Sequence, residues 1–314
     1  MSIDKNIHIG IIGTGAIAYG FAVLFTGNGY KTTVIARSEA SANKLLQAYN
    51  RFFDTLEERK LVTTVQRKNC AALLSLVTRW EDFGGVEIIF EAIYEDLDIK
   101  FEAYKKIEEY CPKVKAIGSA TSALASDDLK KGFKKYRKLF AVAHPYNPPQ
   151  LVPLVELVAS DESSSEALQL LKDFLESCGR KVCFMKKSVP GFIANRLQHA
   201  MLREALHLVE TGVATAADVD MAITNSFAPR YTKVGLIQHN DGYGLDMLEK
   251  LQNYLYPDLC NDKGANPLVV RAVKQGNLGQ KTGRGILEWN EHSIAEFRRN
   301  ATEPFWQFFN WNLP

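Results

Sequence analysis

His144 and Glu156 lie twelve residues apart, in the runs Ala143-His144-Pro145-Tyr146-Asn147-Pro148-Pro149 and Pro153-Leu154-Val155-Glu156-Leu157-Val158. A carboxylate inside an apolar strand is costly to bury unless it is paired and hydrogen-bonded. If His144 is its partner, Glu156 fixes the imidazole tautomer and stabilises the imidazolium. The other ring nitrogen is then left to exchange a proton with a substrate hydroxyl. Without that partner the histidine is a satisfied polar group at a strand end.

A second chemical signal stands near the N-terminus. Gly13-Thr14-Gly15-Ala16-Ile17-Ala18 follows an apolar run and opens a helical pattern, a G-x-G-x-x-[G/A] spacing. Gly13 and Gly15 permit a tight turn and close backbone approach, and Ala16, Ile17 and Ala18 begin a helix whose unpaired N–H groups suit a pyrophosphate. The spacing predicts dinucleotide binding; the alternative is a merely structural strand-to-helix turn. About 20 residues past such a turn an NAD site places an acid for the ribose 2′-hydroxyl. Here the run ends Ile35-Ala36-Arg37-Ser38. Arg37 and Ser38 would attract and hydrogen-bond a 2′-phosphate, so NADP is expected over NAD. The competing reading leaves Arg37 exposed and makes Glu39 a shifted acid.

These residues need a scaffold. Short β-branched runs alternate with amphipathic segments through the first half, as βαβ units do. Strands are predicted at 7–12, 32–36, 87–91, 115–119, 139–143, 154–158 and 181–184, and helices at 16–28, 99–110 and 163–178. Leu45, Leu46, Phe52, Phe53 and Leu56 recur at helical spacing inside 41–68 and predict a helical hairpin protruding from the sheet, within reach of a substrate. Strand signals stop after Phe184. Helices follow at 192–211, 216–224, 244–254 and 267–275. The expected class is α/β: an N-terminal doubly wound Rossmann-type sheet carrying a helical-hairpin insertion (1–188), then an all-α domain (189–314) for substrate and dimerisation.

At 314 residues the chain has room for two domains of about 150 residues each. With 38 basic and 36 acidic side chains, net charge +2, no nucleic-acid or membrane-surface partner is expected. The Lys-rich stretch Lys130–Lys138 reads as a solvated helix face. There is no apolar run of about 18 residues for a membrane span. The polar start Met1–Asn6 shows no signal-peptide pattern. Five cysteines without a C-x-x-C pair fit reduced thiols and a cytoplasmic location. His199, Arg203 and His207 share a helix face, but no Cys or carboxylate cluster accompanies them, so no metal site is expected.

Taken together, six ordered motifs resemble the 3-hydroxyacyl-CoA dehydrogenase family over nearly the whole chain. They are Gly13-x-Gly15, Glu91-Ala92-Ile93-x-Glu95-Asp96-Leu97, Thr121-Ser122, His144-Pro145-x-Asn147-Pro148, Leu154-Val155-Glu156 and Pro190-Gly191-Phe192-Ile193-x-Asn195-Arg196-Leu197. The similarity ends at Gly279-Gln280-Lys281-Thr282-Gly283-Arg284-Gly285. It implies His144 as general acid or base, Glu156 as its orienting partner, and Ser122 and Asn195 as hydrogen-bond partners of the reacting oxygen. Glu95, Lys100 and Asn147 would line the cofactor, with Lys281 able to approach it. The family also implies a homodimer through the helical domain.

Departures from the pattern bear on the substrate. Ala120 and Ala123 stand where the acyl-CoA enzymes usually carry Asn and Ser. The prolines around His144, with Arg230-Tyr231 before Gly235, look closer to the lambda-crystallin/L-gulonate 3-dehydrogenase and L-carnitine dehydrogenase branch, whose substrates are small free 3-hydroxy acids. Arg230 is the candidate carboxylate anchor, and Asn225, Gln238, His239 and Asn240 would make its surroundings polar. Two alternatives stay open. One is an NAD-dependent 3-hydroxyacyl-CoA dehydrogenase, with Lys44, Lys60 and Arg67 meeting a CoA phosphate. The other is a non-catalytic, NADP-binding structural or sensing protein. The aromatic tail Phe305–Trp311 suits a neighbouring subunit, the domain interface, or the chain's own core.

Overall fold

The β-branched runs form one eight-stranded sheet in the computed structural model, which describes residues 3–314; Met1 and Ser2 of the polar N-terminus lie outside the described residues. The strands are β1 (Ile9–Ile12), β2 (Thr32–Ile35), β3 (Leu74–Val77), β4 (Ile88–Glu91), β5 (Ala116–Ser119), β6 (Phe140–Pro145), β7 (Leu154–Ala159) and β8 (Lys181–Met185), in the order β3-β2-β1-β4-β5-β6-β7-β8. Neighbours are parallel except β6 and β7, which run antiparallel. The strand order reverses at β1, so β1 and β4 flank the crevice where open α/β sheets bind ligands.

Both sheet faces are covered. Ile9, Ile11, Ile88, Phe90, Ala141 and Ala143 belong to one apolar core, and Ile12, Ile89, Phe140 and Val142 to another. This period-two division is what a parallel sheet flanked by helices requires. Helices α1 (Ala16–Gly27), α2 (Glu39–Glu58), α3 (Thr64–Ala72), α4 (Leu97–Tyr110), α5 (Ser126–Leu129) and α6 (Ser165–Ser177) complete this part of the chain.

The predicted hairpin at 41–68 is α2 with α3, but it does not protrude. Leu45, Tyr49, Phe53 and Leu56 are buried in the same core as Phe21 and Phe25 of α1, so the insertion lies packed down by its apolar face. The Lys-rich stretch is solvated at Lys131, Lys134, Lys135 and Lys138, as expected, but it is not one helix face. It forms short 3-10 turns, and Lys130 is buried against Asp161 and Glu162.

Two compact units emerge: 3–193 with 302–314, and 194–301. The expected division put everything after 188 in the helical domain, whereas the tail packs with the first unit. Trp306 stacks on Phe52 with ring centroids 5.9 Å apart, and Arg59 lies 4.2 Å over the Trp306 ring while pairing with Glu303. Trp311 joins the core itself. Of the places the aromatic tail could have gone, the chain's own core is the one it takes.

The second unit holds α7 (Ala194–Glu210), α8 (Ala216–Thr224), α9 (Leu236–Asp241), α10 (Leu245–Leu255), α11 (Pro267–Lys274) and α12 (Glu291–Thr302), the last ending at the boundary. Helix α7 was expected at its centre. Instead none of residues 194–301 is buried within the single chain, and Leu197, Met201 and Leu202 of α7 stand exposed. Among the described residues, no helix is long and apolar enough to cross a membrane, and no cluster of three His, Cys, Asp or Glu is placed to hold a metal.

Candidate active site

The antiparallel β6–β7 pairing sets His144 directly opposite Glu156. His144 Nδ1 lies 2.9 Å from Glu156 Oε2, and both side chains are buried. Glu156 Oε1 accepts the Ile193 N–H at 2.8 Å, so its charge has partners on both oxygens. Breaking such a buried pair by removing one member costs about 3–5 kcal/mol. With Nδ1 committed to Glu156, the ring is held in one orientation and Nε2 is left for proton exchange.

The Pro190–Ile193 segment adds a feature that the motif alone did not suggest. Gly191 and Phe192 both take positive φ, 77° and 51°. For a bulky residue such as Phe192 this is a strained backbone that the surroundings must hold. The turn brings the Phe192 ring to 5.2 Å from the imidazole, where it is buried, and aims the next N–H at Glu156. Positive φ at a phenylalanine has no sequence signature beyond the glycine before it.

The glycine turn lies at the β1–β4 crevice. A β-carbon at Gly13 would stand 2.5 Å from the Ala92 carbonyl oxygen, and its φ of 113° is a second reason for glycine. Gly15 is the extended N-cap of α1, with no side-chain cap and no acid in the first turn. The first N–H groups of α1 therefore have no side-chain acceptor, and the residues fit a pyrophosphate. An apolar cleft of about 580 Å³ adjoins, lined by Gly13, Ile35, Ala36, Trp80, Ile93 and Ile99 among others, the size and character of a nucleoside site. Ala16 and Ile17 follow in α1, and Ala18 is buried in the core.

Beside it a second, smaller cavity of about 260 Å³ is lined by Thr14, Arg37, Ser38, Ala40, Ser41 and Lys44. Ser38 caps α2, accepting from the Ser41 N–H. Glu39, the candidate shifted acid, instead receives the Thr78 hydroxyl at 3.4 Å and lines neither cavity. Lys44, a candidate CoA contact in the sequence, lines this cavity with Arg37.

Helix α1 is locked to the loop between the dyad strands. Tyr19 OH accepts from Gln150 Nε2 at 2.9 Å, and a β-carbon at Gly20 would stand 2.6 Å from Pro149 Cγ. Buried Arg180, its guanidinium brought down to about 10 by desolvation, donates to the carbonyls of Pro149 and Val152 at 3.1 Å. Asn147 lies exposed on this loop. Ser122 is exposed at the end of the β5 connection, and Thr121, not Ser122, caps the following turn by accepting from Leu124 N–H. Glu95 is half-exposed, but Lys100 is only 1% exposed and is clamped between Glu91 and Glu95 rather than open to the crevice.

Asn195, Arg230 and Lys281 belong to the second unit. Asn195 is in the first turn of α7. Arg230 Nη1 lies 2.8 Å from His239 Nε2. The amides of Asn225 and Asn240 bond instead to helix carbonyls of Met221 and Leu236. Lys281 is exposed in the tight turn closed by Gly279 N–H to the Arg284 carbonyl.

Comparison with known proteins accords with this arrangement. Residues 8–188 match the 3-hydroxyacyl-CoA dehydrogenase NAD binding domain, and residues 191–289 match the 3-hydroxyacyl-CoA dehydrogenase C-terminal domain. The chain belongs to the 3-hydroxyacyl-CoA dehydrogenase family. It is a pyridine-nucleotide oxidoreductase acting on 3-hydroxy groups. An L-carnitine dehydrogenase of Nocardiopsis dassonvillei is 31% identical over 92% of this chain and 90% of its own length. A 3-hydroxybutyryl-CoA dehydrogenase of Clostridioides difficile is 25% identical over 90% of this chain and 99% of its own. The solved structure of an NAD+-dependent 5-formyl-3-hydroxy-2-methylpyridine 4-carboxylic acid 5-dehydrogenase shares the fold at TM-score 0.84, with 23% identity and 96% of both chains covered.

Proposed function

We propose that this family member interconverts a small, polar, free 3-hydroxy acid and its 3-oxo acid, with NADP preferred over NAD. The observation that carries the chemistry is the buried His144–Glu156 pair set by the β6–β7 register. In oxidation His144 Nε2 takes the hydroxyl proton while Glu156 stabilises the resulting imidazolium; in reduction the proton returns. The Ser122 hydroxyl hydrogen-bonds the reacting oxygen as charge develops on it. Bound nicotinamide supplies the hydride chemistry. Gly13, Gly15, Ala16, Ile17 and Ala18 form the turn that seats the pyrophosphate, and Glu95 and Asn147 face the cofactor.

NADP preference is supported by Arg37, Ser38, Ser41 and Lys44 around the smaller cavity, with Glu39 turned to Thr78. The free-acid reading is supported by two observations. Arg67, one of the cations available for a CoA phosphate, is already paired with Asp54 and Glu57 at 2.7 Å each. Arg230 and His239 form an exposed pair suited to a carboxylate, and relatives named for L-carnitine act by name on a free hydroxy acid. Five free cysteines, three of them buried, suit a cytoplasmic enzyme.

The test is a panel of L-carnitine, L-gulonate, L-3-hydroxybutyrate and 3-hydroxybutyryl-CoA, each with NADP+ and NAD+, followed by nicotinamide absorbance. Turnover of a free acid with NADP+ is expected. Turnover confined to the CoA ester with NAD+ would replace this reading by the acyl-CoA one. Stabilisation by NADP+ with no turnover of any member would make the chain a binding protein.

A second copy of the chain is the partner that the helical unit calls for. With no buried residue of its own, it presents Leu236, Ile237, Leu245, Leu248, Leu251 and Leu255 along a groove of about 450 Å³. Large unpartnered apolar surface of this kind marks an interface. Light scattering should give twice the 35.2 kDa chain mass, and Ile237→Lys, at a position 84% exposed in one chain, should lower it toward monomer.

A further inference from the structure

A cluster of paired charges outside the dyad gathers at the end of β4. Glu91 is fully buried. Its Oε1 accepts from Lys100 Nζ at 2.7 Å and Ile93 N–H at 3.0 Å, and its Oε2 from Ser119 Oγ at 2.7 Å and Tyr104 OH at 2.9 Å. The Lys100 ammonium then reaches on to Glu95 Oε2, 3.4 Å away. The other Glu95 oxygen collects the Thr121 hydroxyl and the backbone N–H groups of Ser122, at 3.0 Å, and Ala123, at 3.2 Å. Burial acts to raise the Glu95 carboxyl, but the Thr121 hydroxyl, the nearby ammonium and these N–H groups together hold it below its ordinary value. Glu95 therefore stays ionised and keeps its grip on the turn through the neutral range.

We propose that Glu91 and Lys100, both buried, and the half-exposed Glu95 form a bridge that holds the Thr121–Ser122–Ala123 turn, so that Lys100 and Glu95 act on the reaction as positioning residues through Ser122. This rests on the assignment of the Ser122 hydroxyl to the reacting oxygen. Lys100 is 1% exposed, and its charge is spent between two carboxylates. What leaves the cluster toward solvent is the orientation of Glu95, and what Glu95 fixes is the backbone on which the exposed Ser122 hydroxyl stands. Misplacing a group near the reacting atoms by 1 Å costs on the order of 10²-fold in rate, so a loosened turn is felt in turnover before it is felt in binding.

The deciding variant is Glu95→Gln, which retains an oxygen for the turn while removing the attraction to Lys100. Amide exchange of the cofactor-free protein should speed up at Ser122 and Ala123 by about tenfold. With the panel substrate that supports turnover, kcat measured at saturating NADP+ should fall about tenfold. In a Ser122→Ala background the same change should have almost no further effect, because coupled residues fail to add. Glu95→Asp, which keeps the charge beside Lys100 but shortens its reach to the turn, should behave alike and serves if Glu95→Gln does not fold.

Unchanged amide exchange would overturn the bridge. So would a Glu95→Gln loss of kcat at saturating NADP+ that persists in full beside Ser122→Ala. If Ser122→Ala alone leaves turnover intact, the Ser122 assignment fails and the proposed coupling with it, whereas exchange still reports whether Glu95 holds the turn.

Discussion

His144→Ala is expected to lower turnover by about 10²–10⁴-fold, the range that general acid–base catalysis contributes. NADP+ binding should stay within a few-fold of the unaltered protein, since the glycine turn and the Arg37 cavity contain no part of the dyad. The change leaves Glu156 with the Ile193 N–H but without its imidazole partner. A drop in Tm is therefore expected too, and turnover is to be compared well below the unfolding range. Glu156→Gln separates the two roles of the pair. Its amide oxygen can still accept from Nδ1–H and hold the ring, while the charge that stabilises the imidazolium is gone, so kcat should fall with the substrate KM little moved. Turnover of His144→Ala equal to that of the unaltered enzyme would remove the proton-transfer assignment.

The dyad was legible because burying a carboxylate in an apolar strand demands a partner. The same signal was present at Glu91, which ends the apolar run Ile88-Ile89-Phe90, but there nothing in the sequence named the partners. They come from α4 and β5, elements brought together only by the parallel crossover. What the spacing of His144 and Glu156 could not convey is strand direction. The antiparallel register puts the two side by side, and a parallel return would not.

Strands that are covered on both faces were read within a few residues of their ends. β3 escaped, since Leu74–Val77 is a half-buried edge strand of four residues directly after a helix. In the helical unit the amphipathic pattern located α7, α8, α10 and α11. Periodicity reports that a face is apolar and says nothing of whose atoms cover it. That is why α7 reads as central in the sequence and stands unburied in one chain. The tail posed the inverse problem: its aromatic residues announced burial, and only the fold shows Phe52 and Arg59 waiting for Trp306.

Arg37→Asp is expected to reverse cofactor preference. The change removes a charge-assisted hydrogen bond to the 2′-phosphate, worth about 1.5–3 kcal/mol, and puts a like charge in its place. The ratio of kcat/KM for NADP+ over NAD+ should then fall by about 10²–10³-fold, much of it through a raised NADP+ KM. Lys44→Ala, which removes the other cation lining the same cavity, should weaken NADP+ by about tenfold and leave NAD+ nearly unchanged, because NAD+ has no phosphate there. Glu39→Ala is the control that tells the two cofactor readings apart. Its carboxylate faces Thr78, so neither cofactor should respond; a selective loss of NAD+ turnover would identify Glu39 as the ribose acid after all. An Arg37→Asp enzyme with an unaltered ratio would mean that the smaller cavity holds no phosphate, and the preference would have to be sought in the adenosine cleft along Trp80, Ile93 and Ile99.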